Sequence, residues 1–344
     1  MAKESTESDR LVGSRSPAAD GDIENGADSN QKGIFHSLRG VCLALLAGLF
    51  AALNNTVTVF LENLHLTPYQ LLLLMYAGSL ILMTIAILCL YGPRALLAET
   101  RKERILLVAI GVTYTLSDIC QILALEFIPI GNVTAIYRGT MPIITPILAR
   151  IFLKEPFTKI HLVSTLLCLL GIVFTAQPET VFGDETEATA ENTSDDWLGY
   201  VLSVVCGIGF SITYVTGSAL GCNVSVLVVN FYENFIGSMI TLVLTFTVGT
   251  PIWQLSGAAI GFLFGLVATF CLNFLCRFRS LQLEPPTTVV LLVNIQIVIA
   301  YLADYLFFGY TLNLFDILGA TSIIVSSLIV AISTSYFNVK EHTK

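Results

Sequence analysis

Charge is scarce in this sequence. Asp, Glu, Lys and Arg make up only 12% of its 344 residues, while 55% are hydrophobic and the mean hydropathy is +0.78. A soluble globular domain carries about 25% charged residues, so that class is excluded and a polytopic membrane protein is indicated. Chemical signatures are scarce as well. The sequence contains no G-x-x-x-x-G-K-[ST] phosphate loop, no H-E-x-x-H and no G-x-S-x-G, and its four histidines, at 36, 65, 161 and 342, form no cluster. ATP-driven pumping and intramembrane hydrolysis therefore lack the residues they require. The eight cysteines, at 42, 89, 120, 168, 206, 222, 271 and 276, fall in or beside apolar runs without C-x-x-C spacing and histidine partners. Neither a zinc site nor a secreted disulfide framework follows, and the thiols read as small buried apolar groups. The net charge of -8 comes mainly from acids in the N-terminal tail and in the stretch 179–196, a balance that argues against nucleic acid as a partner.

What is abundant is long apolar sequence. Crossing a hydrocarbon core of ~30 Å takes ~20 helical residues, and runs of that kind recur at 39–61, 68–91, 104–127, 131–153, 161–176, 197–220, 224–249, 256–276, 285–308 and 315–337. The expectation is an all-α protein of ten transmembrane helices. Ahead of them, residues 1–38 are polar, lack the features of a cleavable signal, and read as a disordered cytoplasmic tail. A second short cytoplasmic tail covers 338–344.

Lysine and arginine set the direction, because cytoplasmic loops accumulate them. With ten spans and the N-terminus inside, sixteen of the seventeen basic residues fall on the inner side, Arg277 and Arg279 among them, and none in the outer loops. The seventeenth is Arg138, inside the fourth span. Both termini are expected in the cytoplasm, and the acidic connection 177–196 is expected outside, where Asn192-Thr193-Ser194 makes Asn192 a glycan acceptor.

That connection divides the chain into halves of five spans, 39–176 and 197–337. At an offset of 159, Gly40, Leu43, Gly48, Gly78 and Ser79 meet Gly199, Leu202, Gly207, Gly237 and Ser238. At an offset of 156, Leu125, Pro129, Val133 and Phe152 meet Leu281, Pro285, Val289 and Phe308. An odd number of spans per half makes the second copy enter the membrane in the opposite sense. Inverted repeats of this kind belong to alternating-access carriers that hold substrate near the midplane.

The stretches Ala124-Leu-Glu-Phe-Ile-Pro-Ile-Gly131 and Leu153-Lys-Glu-Pro-Phe-Thr158, with Ser280-Leu-Gln-Leu-Glu-Pro-Pro286 and Phe308-Gly-Tyr-Thr311 in the second half, resemble the drug/metabolite transporter superfamily with its EamA-type domains. Within it the chain is most similar to subgroup G of the animal solute carrier 35 group. The resemblance spans roughly 39–337. It implies two inverted five-helix bundles, a central cavity lined by the first four helices of each, and no cofactor. It departs from many relatives in the second span, where Tyr69-Gln-Leu-Leu-Leu-Leu-Met75 carries no basic residue, and in the ninth, where Asn294 stands near the usual lysine.

Arg138 is the first candidate site residue. An arginine at the centre of a spanning helix costs roughly 2.5–3.5 kcal/mol on insertion scales, so it faces a cavity or a partner. Its planar fork suits carboxylate or phosphate. Its substrate role competes with a structural pairing to Asp118 or Glu233, which could equally serve proton coupling. Asn230, Asn234, Asn294 and Tyr137 complete the expected binding set, with Asn273 and Gln296 as further amides. Gly261 and Gly265 form a G-x-x-x-G pair that signals close helix packing, and leaves a second copy of the chain open as a partner. The expected function is secondary-active transport of a small metabolite, an organic anion such as a carboxylate, with nucleotide sugars as an alternative substrate. A transporter-fold adaptor that binds other proteins is the alternative function. Plasma membrane and endomembranes such as the ER and Golgi both remain open.

Overall fold

The computed structural model describes residues 18–62, 64, 66–93, 100–128, 130–155, 158–176, 196–248, 251, 253, 256–307 and 314–342. Eleven helices account for nearly all of them: α1 (Ala18–Glu62), α2 (Pro68–Leu90), α3 (Arg101–Leu125), α4 (Ile130–Leu148, continued by a wider turn at Ala149–Leu153), α5 (Lys159–Ala176), α6 (Asp196–Leu220), α7 (Val226–Thr247), α8 (Gly257–Leu283), α9 (Pro286–Val293), α10 (Ile295–Phe307) and α11 (Leu314–His342). The all-α expectation holds. Among the described residues eight helical stretches are long and apolar enough to cross a membrane, α9 and α10 counting together as Pro286–Phe307. Outside that group are α4, which carries Arg138 and two prolines, and α5, whose apolar run is short at Lys159–Phe174.

Helix starts follow the local chemistry. Thr67 accepts from the Gln70 amide ahead of Pro68, and Thr100 and Glu103 form a reciprocal capping box that opens α3. Three boundaries differ from the sequence expectation. The tail expected to be unstructured over 1–38 is helical from Ala18, since extending an existing helix avoids the cost of a new nucleus; 1–17 lie outside the described residues. The eighth span, expected to end at Cys276, runs on to Leu283 and takes Arg277 into the helix bundle. The ninth is broken at Asn294, whose carbonyl accepts from the Ile297 amide at 3.0 Å in a tighter turn.

The packing between halves is reciprocal. α1 lies on α8 as α3 lies on α6; α4 lies on α6 as α9 and α10 lie on α1; α2 pairs with α7 and α5 with α11. Two glycines show how closely this reciprocity is kept. A Cβ built at Gly48 would stand 2.9 Å from the Val293 carbonyl oxygen, and one at Gly207 would stand 2.8 Å from that of Tyr137. Gly207 matches Gly48 at the offset of 159, and Val293 matches Tyr137 at 156. The same relation joins Gly40 beside Glu284 to Gly199 beside Ile128. Only glycine permits two helix backbones to approach so closely.

Gly261 and Gly265 behave otherwise. Among the described residues no atom of another helix lies within 4 Å of where their Cβ atoms would be, so they bring no two of these helices together. The cysteines are all free, and only Cys168, Cys206 and Cys271 are buried; Cys42, Cys89 and Cys222 face outward, where an apolar surface also suits them in a membrane.

Candidate functional site

A cavity of about 440 Å³ lies between the two halves. Each bordering helix gives it one face. Leu266, Phe270, Asn273 and Arg277 of α8 recur at steps of four, three and four, a single stripe of a 3.6-residue helix that descends roughly 16 Å along the axis. α3 supplies Tyr114, Asp118, Gln121 and Leu125 in the same way, and α1 supplies Ala51, Asn54, Thr58 and Glu62. The cavity reaches the helix ends at Glu62, Pro68 and Leu125, which lie on one face because short connections join these helices. Its far end is set by Tyr114, Tyr214 and Arg277.

Arg138 stands midway along α4 and lines this cavity, half-buried, with its guanidinium carbon 4.8 Å from the centre of the Tyr137 ring. Two prolines remove helical hydrogen bonds there. Pro142 has no N–H to give to the Arg138 carbonyl, and Pro146 none to that of Pro142. A backbone acceptor without its helical donor is tolerated at membrane depth where it lines a cavity. Among the described residues no carboxylate comes within ion-pair distance of Arg138, so the structural pairing with Asp118 or Glu233 is not made. Asp118 lies in the field of both Arg138 and Arg277, and its Oδ2 accepts from the Tyr76 hydroxyl at 2.6 Å. The Tyr76 ring lies over Gly237 and meets Phe270 edge-on at 5.5 Å. Tyr137 is buried in the cavity wall.

Four of the expected binding residues lie elsewhere. Asn230, Glu233 and Asn234 are fully buried on the face of α7 that packs against α2 and α3, away from the cavity. The Asn234 amide donates to the Asn230 backbone carbonyl at 2.7 Å and also bonds the Asn230 side chain, which accepts from Ser79 at 3.4 Å. Both carboxylate oxygens of Glu233 lack a hydrogen-bond partner among the described residues. Asn294 is buried at the break between α9 and α10 and donates to the Cys168 sulfur at 3.2 Å. Gln296, two residues on, does line the cavity. Asn192 lies outside the described residues.

The structure adds Asn54, which sequence reasoning passed over, and gives the expected amide Asn273 a place beside it. Asn54 donates to the Leu266 carbonyl at 3.0 Å and to Thr269 at 3.1 Å, and Asn273 donates to the Ala47 carbonyl at 2.6 Å, so these amides fix α1 to α8 at the cavity wall. Arg277 is the larger omission. Counted with the cytoplasmic loop, it is instead 5% exposed inside the bundle, because α8 continues past the point where its apolar run ends. Its guanidinium carbon lies 4.2 Å from the ring centre of Phe274, 4.6 Å from Tyr114, 5.5 Å from Phe278 and 5.7 Å from Tyr214. Cation–π attraction of about 2 kcal/mol or more at a desolvated site offsets part of the burial.

The division of the chain into two matched halves is mirrored in the family comparison. The sequence model of the EamA-like transporter family matches residues 38–177 and again residues 197–332. The chain belongs to this family. Arg138 falls in the first matched segment and Arg277 in the second. Solute carrier family 35 member G1 of Mus musculus is 24% identical over 249 residues, covering 71% of this chain and 66% of the mouse protein. The human protein of the same name is 22% identical over 258 residues, covering 74% of this chain and 69% of the relative. A solved crystal structure matches the fold with a TM-score of 0.70 at 14% identity, over 88% of this chain and 98% of the other. Membership agrees with an integral, multi-pass membrane protein.

Proposed function

We propose that this chain is a secondary-active transporter of a small organic anion, a carboxylate being the first choice. It works by alternating access between two inverted five-helix repeats, with α4 and α5 joining the eight long apolar stretches to make ten spans. The observation that carries the reading is Arg138: a guanidinium without an ion-pair partner among the described residues, at mid-helix in the wall of a cavity between the halves. Such a group is stabilised by an anion with two oxygens in its plane. Asp118, held by Tyr76, keeps the guanidinium from presenting an uncompensated field when the cavity is empty. Tyr137 fixes its ring side. With the N-terminus inside, the helix ends at Glu62, Pro68 and Leu125 face outward, and the structure is the outward-accessible form.

Purified protein reconstituted into liposomes tests this, with uptake measured for organic carboxylates, other anions, neutral sugars and nucleotide sugars. Saturable uptake of an anion by the wild type is expected, with weaker apparent affinity for Arg138→Lys and none for Arg138→Ala. Undiminished uptake of the same anion by folded Arg138→Ala overturns the proposal. Uptake confined to nucleotide sugars supports the alternative substrate, and no flux of any solute by folded wild type favours the protein-binding adaptor.

A further inference from the structure

The Arg277 side chain is nine-tenths buried, yet among the described residues only one of its nitrogens has a partner: Nη1 donates to the Tyr114 hydroxyl at 3.3 Å. Nε and Nη2 are buried and find no partner among the described residues. These two share the edge of the guanidinium on which two N–H bonds run parallel, the edge that takes a carboxylate or phosphate through two hydrogen bonds. Aromatic faces attract the charge but cannot accept along that edge. No described acid makes an ion pair with it, although Asp118 and Glu233 both lie in its field. Orphaned charged donors at such burial are costly. Arg277 also closes the lining stripe of α8 at the end of the cavity opposite the helix ends at Glu62 and Pro68.

We infer that Arg277 is a second anion-contacting residue, occluded in this conformation, and that its Nε/Nη2 edge receives the carboxylate or phosphate group of the ligand when the cavity opens toward the opposite face. Arg138 contacts the anion at the accessible end and Arg277 at the closed end, one from each matched segment of the chain. The rings of Tyr114, Tyr214, Phe274 and Phe278 form the barrier that must part for this exchange. The inference rests on the transport reading above and adds to it a residue and a state.

Full-length protein in lipid nanodiscs tests it, with acetate, succinate, inorganic phosphate and adenosine monophosphate as probes. Thermal stabilisation ranks the probes, and the strongest is carried into counterflow from both sides of proteoliposomes. The carboxylate and phosphate arms identify which anion the edge takes. Arg277→Ala, and Arg277→Met as a variant that refills the ring cluster, are expected to keep or raise melting temperature without anion. Both are expected to weaken the apparent affinity at least tenfold when the probe is offered from the face opposite Glu62 and Pro68, and to change it less than threefold from the near face. Equal affinity from both faces overturns the inference, as does failure of both variants to fold, which makes Arg277 structural. If no probe stabilises wild type or Arg277→Met, the anion reading itself fails and this inference with it. Loss of binding in Arg138→Ala alone leaves that reading intact and rejects Arg277.

Discussion

Tyr76 is the residue on which the arrangement around Asp118 depends. Its hydroxyl donates at 2.6 Å to a carboxylate in the cavity wall, and its ring can stand there because residue 237 has no side chain. Hydrogen bonds to charged groups contribute about 1.5–3 kcal/mol, and removing the donor leaves the acceptor exposed to the full desolvation penalty. Tyr76→Phe is expected to lower the melting temperature in detergent and to reduce anion uptake while leaving the ring packing intact. Unchanged values of both would mean that the bond is incidental. Arg138 and Asp118 were legible in the sequence because a charge inside an apolar run needs no periodicity to be noticed. Arg277 was not, since it stands beside Arg279 where the apolar run of its helix ends and was counted with the loop. Asn230, Glu233 and Asn234 show a different limit: on a helix apolar on most faces, a polar residue serves a cavity or a neighbouring helix equally well, and the sequence does not say which.

Close approach at single backbone positions governs the helices. Gly48→Ala would press a methyl group against the Val293 carbonyl and the Ile295 side chain, and Gly207→Ala would press one against the Tyr137 carbonyl and Thr140. Overpacking of this kind costs about 1–3 kcal/mol. Because the two contacts are equivalent, the two substitutions are expected to lower the melting temperature by similar amounts, whereas Gly261→Ala, which meets open space, leaves it unchanged. Pro142 acts in the other direction. Pro142→Ala returns an N–H to the Arg138 carbonyl, so it is expected to raise thermal stability and slow turnover with little effect on apparent affinity, read from melting curves and initial uptake rates. These contacts also explain what the repeat offsets foretold. Glycines recur at an offset because the backbones they admit recur too, a constraint stronger than the general likeness of apolar helices.

At the scale of the molecule, orientation and the membrane face of each loop rest on the basic residues. With Arg277 moved into the bundle, the loops assigned to the inner side still hold all the basic residues outside it, so epitope tags on both termini are expected to be reached by antibody only after the cytoplasmic side is opened. Access to either terminus from the opposite side would change the span count by one. In a eukaryotic host Asn192→Gln is expected to abolish a glycosidase-sensitive mobility shift; a shift that persists unchanged would show that Asn192 is not the acceptor.

The helical hydrogen-bond ladders of α4 and of the α9–α10 pair are interrupted at the same register. The Arg138 carbonyl loses its helical donor to Pro142, and Asn294, its counterpart at the offset of 156, sits at the break between α9 and α10. The side chains at that shared position are unlike: a guanidinium turned to the cavity in one half, an amide turned to Cys168 in the other. Interchanging the roles of the halves therefore restores the shape of the molecule and not its charge distribution. If the halves exchange roles as proposed, the two access states are expected to be unequal in free energy when empty, with the resting population biased toward one of them.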